Sequence, residues 1–253
     1  MKFGICTQIE KLPVYAEAGV DFVEINATAI AQKSEEDFAK AKEIADRFPG
    51  MVHACNGLVP SSLRLTGPDV SFDAVTEYTE KCFGRLAALG VTMIVFGSSA
   101  AKQVPDGFSR EEAMEQLVRV VRIFADVAAR YGQTVVIEPL NFGECNIINT
   151  VADSVELMKA VDRANVRAHV DFYHLMQNGE TLSELALHVQ YIPHVHIASP
   201  VKRIVPAFDD GAHYGAFLKT LREGGFDGTV SYEGKSKLTE EMVSTLMAFL
   251  KSL

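Results

Sequence analysis

The chain has 253 residues, of which 48% are hydrophobic and 23% charged, with a net charge of −9. These proportions are those of an ordinary globular protein and exclude wholesale disorder and collagen-like repeats. The acidity disfavours nucleic-acid phosphates and anionic membrane surfaces, since binding to either leans on clustered Lys and Arg.

The opening Met1-Lys2-Phe3-Gly4-Ile5-Cys6 lacks the apolar core of a signal peptide, and no apolar run nears the roughly 20 residues of a membrane helix. A soluble cytoplasmic protein is expected. Cys6, Cys55, Cys82 and Cys145 are far apart and form no CxxC pair, so reduced, mostly buried thiols are expected rather than a disulfide framework or a Cys-rich zinc site.

Short apolar runs, mostly rich in β-branched residues, predict strands at Lys2–Cys6, Asp21–Ile25, Met51–Cys55, Thr92–Phe96, Thr134–Glu138, Val166–Val170, Ile192–Ile197 and Thr229–Glu233. Helical spacing fills the intervals. A short helix follows Pro13, a residue suited to a first turn. Ser34–Phe48 carries Phe38, Ala41, Ile44, Ala45 and Phe48 on one face. Ser71–Leu89 stops at Gly90, and Ser109–Tyr131 opens with a Ser109/Glu112 capping-box spacing and stops at Gly132. Thr150–Val161, Thr181–Gln190, Ala212–Glu223 and Thr239–Leu253 complete the set. Strand followed by helix, eight times over, predicts a parallel sheet with right-handed crossovers. In about 250 residues that is a single (β/α)8 TIM-barrel domain over 1–253, with an open doubly wound sheet as the runner-up. No linker or low-complexity tract divides the chain, and neither GxGxxG nor GxxxxGK[ST] occurs.

Catalytic groups of such barrels gather at the C-terminal strand ends. Strands five to eight end in Glu138, Asp171, His196 and Glu233. Barrel closure brings these ends around one axis, where three carboxylates repel one another and raise each other's pKa. A divalent cation resolves that conflict; three oxygens and one imidazole suit Mn2+, Mg2+ or Co2+, and Zn2+ is also compatible. Any one of these residues alone reads as a solvated strand end or ion-pair partner, so it is the run over four strands that carries the signal. His194 and His196 share a face by strand alternation. His53 and His169 fit structural or supporting roles, and His188 and His213 a surface.

The segment Ile137-Glu138-Pro139-Leu140-Asn141, with Glu144 and Asn149-Thr150 after it, resembles the signature of the xylose-isomerase-like TIM barrels, and most of all the branch of ketose 3-epimerases and hydroxypyruvate isomerases. Val170-Asp171-Phe172-Tyr173-His174 is similar to the family's D-x-x-H, His194-Val195-His196 to its H-x-H, and Gly225-Phe226-Asp227-Gly228 with Tyr232-Glu233 to its ending. The likeness spans the chain and is strongest from about residue 130. It implies Glu138, Asp171, His196 and Glu233 as metal ligands, Glu138 and Glu233 as the acid–base pair, and Glu144 and His174 as holders of the substrate's terminal oxygens. An Arg is implied a few residues after the metal His. Lys202 stands at the usual spacing and Arg203 one further on; Arg203 is favoured because its fork suits paired oxygens. The family's Pro-Gly-x-Gly is replaced by Val205-Pro206-Ala207-Phe208-Asp209-Asp210-Gly211.

The resemblance implies a metal-dependent sugar isomerase or epimerase that acts on a ketose or ketose-like sugar, or a sugar phosphate. One Glu removes a proton α to the carbonyl, giving an enediolate that a divalent metal stabilises. Return of the proton to the same carbon is epimerisation, and return to its neighbour is isomerisation. An inosose-type dehydratase on the same metal site is the alternative. An apurinic-site endonuclease is less favoured: strand four ends Val95-Phe96-Gly97-Ser98 without a His, and the D-x-H spacing after the strand-seven His is missing. A non-catalytic sugar- or metal-binding protein is a third, remoter reading. The loops 56–70 and 97–108 are expected over the barrel mouth as candidate lids, with Arg64 as a candidate phosphate grip. No nucleic-acid or membrane partner is expected, and a homo-oligomer is compatible with the resemblance.

Overall fold

Runs of Val, Ile and Phe that leave no face for water become strands. These are β1 (Lys2–Thr7), β2 (Phe22–Asn26), β3 (Val52–Asn56), β4 (Met93–Phe96), β5 (Thr134–Ile137), β6 (Val166–Ala168), β7 (Val170–Asp171), β8 (His194–Ile197) and β9 (Thr229–Tyr232). The structure is a computed structural model that describes residues 1–207 and 211–253. Every strand pair is parallel, in the order β6-β5-β4-β3-β2-β1-β9-β8-β7. The two ends of that order, β6 and β7, are halves of one strand interrupted at His169, whose amide donates to the Ile137 carbonyl at 3.0 Å. The sheet therefore closes on itself as an eight-stranded barrel, as expected from the alternation of strands and helices.

The helices are α1 (Leu12–Glu17), α2 (Ala27–Gln32), α3 (Glu35–Arg47), α4 (Phe72–Ala88), α5 (Ser99–Lys102), α6 (Arg110–Ala129), α7 (Val151–Val161), α8 (Phe172–Asn178), α9 (Leu182–Ala186), α10 (Tyr214–Glu223) and α11 (Glu240–Ser252). The first residues of four predicted helical stretches act as caps: Ser34, Ser71, Ser109 and Thr239 each accept an amide hydrogen from the third helical residue. Complete capping boxes form at Thr150/Asp153 and Thr181/Glu184. At Ser109 the hydroxyl bonds Glu111 instead of a reciprocal Glu112 contact closing the box. The stretch expected as one helix over Thr181–Gln190 breaks into α9 and a 3-10 turn, Val189–Tyr191. Among the described residues no helix is long and apolar enough to cross a membrane.

Three short helices were not expected: α2, α5 and α8. Each begins where a strand has just ended, before any apolar periodicity can build up. Asn26, the last residue of β2, caps α2, and Asp171, the last residue of β7, caps α8. The strand-end side chain thus turns the chain sharply at the barrel mouth. At the opposite end Phe22 fills the barrel floor above Gly4, where a Cβ would meet its ring at 2.5 Å. Outside the strands the apolar faces of α4 and α6 pack together, with Phe124 edge-on to Phe96 at 5.4 Å between ring centres. The four cysteines are free; Cys55, Cys82 and Cys145 are buried and Cys6 half-buried.

Candidate active site

Strand register decides which side chains meet. Asp171 pairs directly with His196, and His196 with Ser231. Glu138 follows Ile137, the last paired residue of β5, and Glu233 follows Tyr232 of β9. The four predicted residues therefore converge at the mouth: each offers one ligand atom, and those atoms lie within 4.8 Å of one another. His196 Nδ1 stands 3.2 Å from Glu138 Oε1 and 3.3 Å from Glu233 Oε2.

Each of the three acidic residues is held from behind, two by the carboxylate and one by the backbone. Asp171 Oδ1 accepts the Tyr173 amide at 2.8 Å, at the start of α8. Glu233 Oε1 accepts from Asn56 Nδ2 at 2.6 Å. The Glu138 backbone carbonyl accepts from Lys102 Nζ at 3.0 Å, a lysine with no exposed surface. Gly97 leaves the room that Glu138 occupies, since a Cβ there would overlap its Oε2.

The other predicted residues line the same mouth. Arg203 Nη2 donates to Asp171 Oδ2 at 2.9 Å and also to Glu233, while Nη1 lies 3.9 Å from Glu144 Oε2. Lys202 is exposed and makes none of these contacts, so of the two it is Arg203 that faces the cluster. Both residues adopt positive φ, 67° and 55°, a turn that non-glycine residues rarely take and that here swings the guanidinium inward. His174 is buried one helical turn from Asp171, with Nε2 3.6 Å from Oδ2. Its Nδ1 meets Asn141 Nδ2 at 2.8 Å, and Asn141 Nδ2 also donates to Glu144 Oε1 at 3.0 Å.

Charge crowding shows in the titration of these groups. Burial pushes the Asp171 carboxyl above its ordinary value, with His174 and Arg203 only partly opposing it. Burial acts the same way on Glu233, but His196 and Arg203 outweigh it and bring that carboxyl down to about 2. Burial disfavours a charged His196, yet Glu24 and Glu233 push its pKa well above the usual value. Three carboxylates and one imidazole at this spacing form a donor set that fits a divalent cation, with oxygen ligands dominant.

Sequence reasoning gave no role to Glu24, Asn56, Asn141 or Lys102. Glu24 had a visible signal: a carboxylate between Val23 and Ile25 in an apolar strand needs a partner. It is fully buried and bonds both His194 and His196 at 2.9 Å. Arg64 is committed elsewhere: its guanidinium donates to the carbonyls of Ala100 and Gln103, tying the two mouth loops together rather than facing a phosphate. His53 sits toward the floor, with Nδ1 3.1 Å from Thr92 Oγ1 and its ring edge-on to Phe22. His169 is fully buried in the interior. Of the segment that replaces the family's Pro-Gly-x-Gly, Phe208, Asp209 and Asp210 lie outside the described residues.

Residues 12–253 match the family described as xylose isomerase-like TIM barrel. An L-ribulose 3-epimerase of Methylomonas sp. (strain DH-1) is 26% identical over 245 residues, covering 94% of this chain and 82% of that protein. A 3-dehydro-D-guloside 4-epimerase of Escherichia coli (strain K12) is 28% identical over 235 residues, covering 90% and 87%. The crystal structure of a 3-keto-D-glucoside 4-epimerase from E. coli superposes over 100% of both chains with a TM-score of 0.82 at 23% identity, which shows the shared fold. The chain belongs to the xylose isomerase-like TIM barrel family, among relatives that are epimerases and isomerases.

Proposed function

We propose that this protein is a divalent-metal-dependent sugar epimerase or isomerase that moves a proton on a ketose or ketose-like substrate. The observation that carries the reading is the convergence of Glu138, Asp171, His196 and Glu233 from four strand ends, two of them glutamates able to exchange protons. These four residues would hold the cation, which when bound supplies positive charge against the negative charge that develops on the substrate's carbonyl oxygen.

The protein's own groups do the rest. One of Glu138 and Glu233 takes the proton from the carbon beside the carbonyl, and the other returns one. Return to the opposite face of the same carbon inverts it; return to the neighbouring carbon, with the hydroxyl proton passing to the former carbonyl oxygen, exchanges aldose and ketose. Glu138 is held on β5 and Glu233 on β9, with His196 between their carboxylates, so the pair approaches the mouth from separate strands. Glu144, His174 and Arg203 bind substrate oxygens, with Arg203 oriented by Asp171 and by the Tyr173 ring 5.0 Å from its guanidinium carbon. In the names of the two relatives, a 3-epimerase of a ketose and a 4-epimerase of a 3-dehydro sugar, the inverted carbon adjoins a carbonyl. That shared chemistry supports a keto sugar as substrate.

The test is incubation of the Mn2+-loaded enzyme with a panel of ketoses and keto-glycosides in D2O. Deuterium should enter at the carbon next to the carbonyl, with accumulation of the epimer or aldose. Absence of exchange across the panel, with water eliminated instead, would contradict the reading and favour a dehydratase.

A further inference from the structure

Beneath the carboxylate cluster lies a second buried polar layer that the proposed reaction does not use. Glu24 of β2 has no exposed surface, and its two oxygens go to two different imidazoles. Oε1 is 2.9 Å from His196 Nε2, and Oε2 is 2.9 Å from His194 Nε2. His194 Nδ1 in turn meets Thr229 Oγ1 at 2.7 Å. The His169 ring stands edge-on to His196, with ring centres 4.4 Å apart.

The protons of this layer can be placed without conflict. A neutral imidazole has one N–H and one bare nitrogen. The Thr229 hydroxyl donates to His194 Nδ1, which leaves His194 Nε2–H to donate to Glu24. Glu24 then has its other oxygen for the Nε2–H of His196. His196 Nδ1 is then the nitrogen that faces Glu138 and Glu233: a bound cation would take its lone pair, and without a cation it carries a second proton that those two carboxylates accept. A ligating histidine needs a partner for its far N–H, and a carboxylate there fixes the tautomer, fixes the ring and makes the ligating nitrogen more basic. His169, His194 and His196 also lie close enough together to suggest a separate three-histidine cation site. The geometry speaks against it, because the Nε2 atoms of His194 and His196 are both committed to Glu24.

We infer that Glu24 is a positioning residue that locks His196 as its Nε2–H tautomer and aims Nδ1 into the cluster, with Thr229 and His194 fixing the carboxylate from the other side. This rests on the reading of Glu138, Asp171, His196 and Glu233 as a metal site, which the experiment checks separately.

Wild type, Glu24→Gln and Glu24→Asp are titrated with Mn2+ by calorimetry, with circular dichroism as a check on folding. Glu24→Gln should weaken Mn2+ binding about 10- to 100-fold, and Glu24→Asp, which keeps the carboxylate, should restore part of the loss. Equal affinity in wild type and Glu24→Gln overturns the inference and leaves the metal site standing. Failure of wild type to bind Mn2+ overturns the metal site and the inference with it. A second measurement needs no variant: long-range 1H–15N spectra of the Zn2+-loaded wild-type protein labelled at histidine. His196 should carry its proton on Nε2 and its metal-induced shift on Nδ1; a proton on Nδ1, or a metal shift on Nε2, overturns the inference even if Glu24→Gln does not fold.

Discussion

Strands β5, β7, β8 and β9 bring the four cluster side chains to the barrel mouth; β1 to β4 bring none of them. The first half instead supplies supports. Asn56 at the end of β3 holds Glu233, Lys102 at the end of α5 holds the backbone of Glu138, Gly97 makes room for Glu138, and Glu24 of β2 sits behind His196. The loops of the first half are also tied to each other, through Arg64 and through Thr66, whose hydroxyl reaches the Gln103 carbonyl at 2.8 Å. The contrast teaches that a cluster can be one-sided in its ligand atoms and two-sided in its supports: all four cluster side chains come from one half of the closed sheet, and supports for them come from both.

The sharpest way to break that division is to exchange a reacting group. Glu138→Gln and Glu233→Gln each keep shape and remove the proton carrier, so each should lower solvent deuterium exchange into the substrate by about 10²- to 10⁴-fold. Near-normal exchange in either variant removes that residue from proton transfer. A support should cost less. Asn56→Ala leaves Glu233 in place but takes away a hydrogen bond to a charged group, worth about 1.5–3 kcal/mol. We expect a loss of roughly 10- to 100-fold in kcat/KM, with secondary structure unchanged by circular dichroism. A loss as large as that of Glu233→Gln would erase the distinction between the halves.

The smallest effect is expected outside the cluster and serves as a control. Glu180 is half-buried, and burial raises its carboxyl to about 7 although it accepts the Val151 amide at the start of α7. The folded state therefore holds a proton that the unfolded chain releases at lower pH, so stability falls as pH rises from about 4.5 to about 7. Glu180→Gln mimics the protonated form. It should match wild type near pH 4 and exceed it by about 1 kcal/mol near pH 8, after allowance for partial exposure, in denaturant titrations. Activity at the mouth should not change.

The fold was legible because buried parallel strands and amphipathic helices write different periods into the chain. The four cluster residues were legible because each sits at the end of an apolar strand, where an ionisable side chain stands out. The supports were harder to see. Asn56 is the last residue of β3 and Lys102 the last of the four-residue α5, both beyond any periodic run, and their partners are 177 and 36 residues away. Arg64 reads as an exposed anion grip in sequence, yet it serves loop carbonyls, a choice that only the approach of two loops decides. Arg203 over Lys202 follows from a turn with two positive φ values, which neither residue type signals. The short helices α2 and α8 hide because their caps, Asn26 and Asp171, belong at the same time to strand ends.

Glu138, Asp171, His196 and Glu233 are proposed together to hold one divalent cation. Elemental analysis of the purified wild-type protein beside His196→Ala, after dialysis against Mn2+ and removal of free ion, tests it most directly. About one equivalent of bound metal is expected in wild type and a near-complete loss in His196→Ala, by the ligand logic of such sites. Full occupancy in His196→Ala, or no metal in wild type, would contradict it.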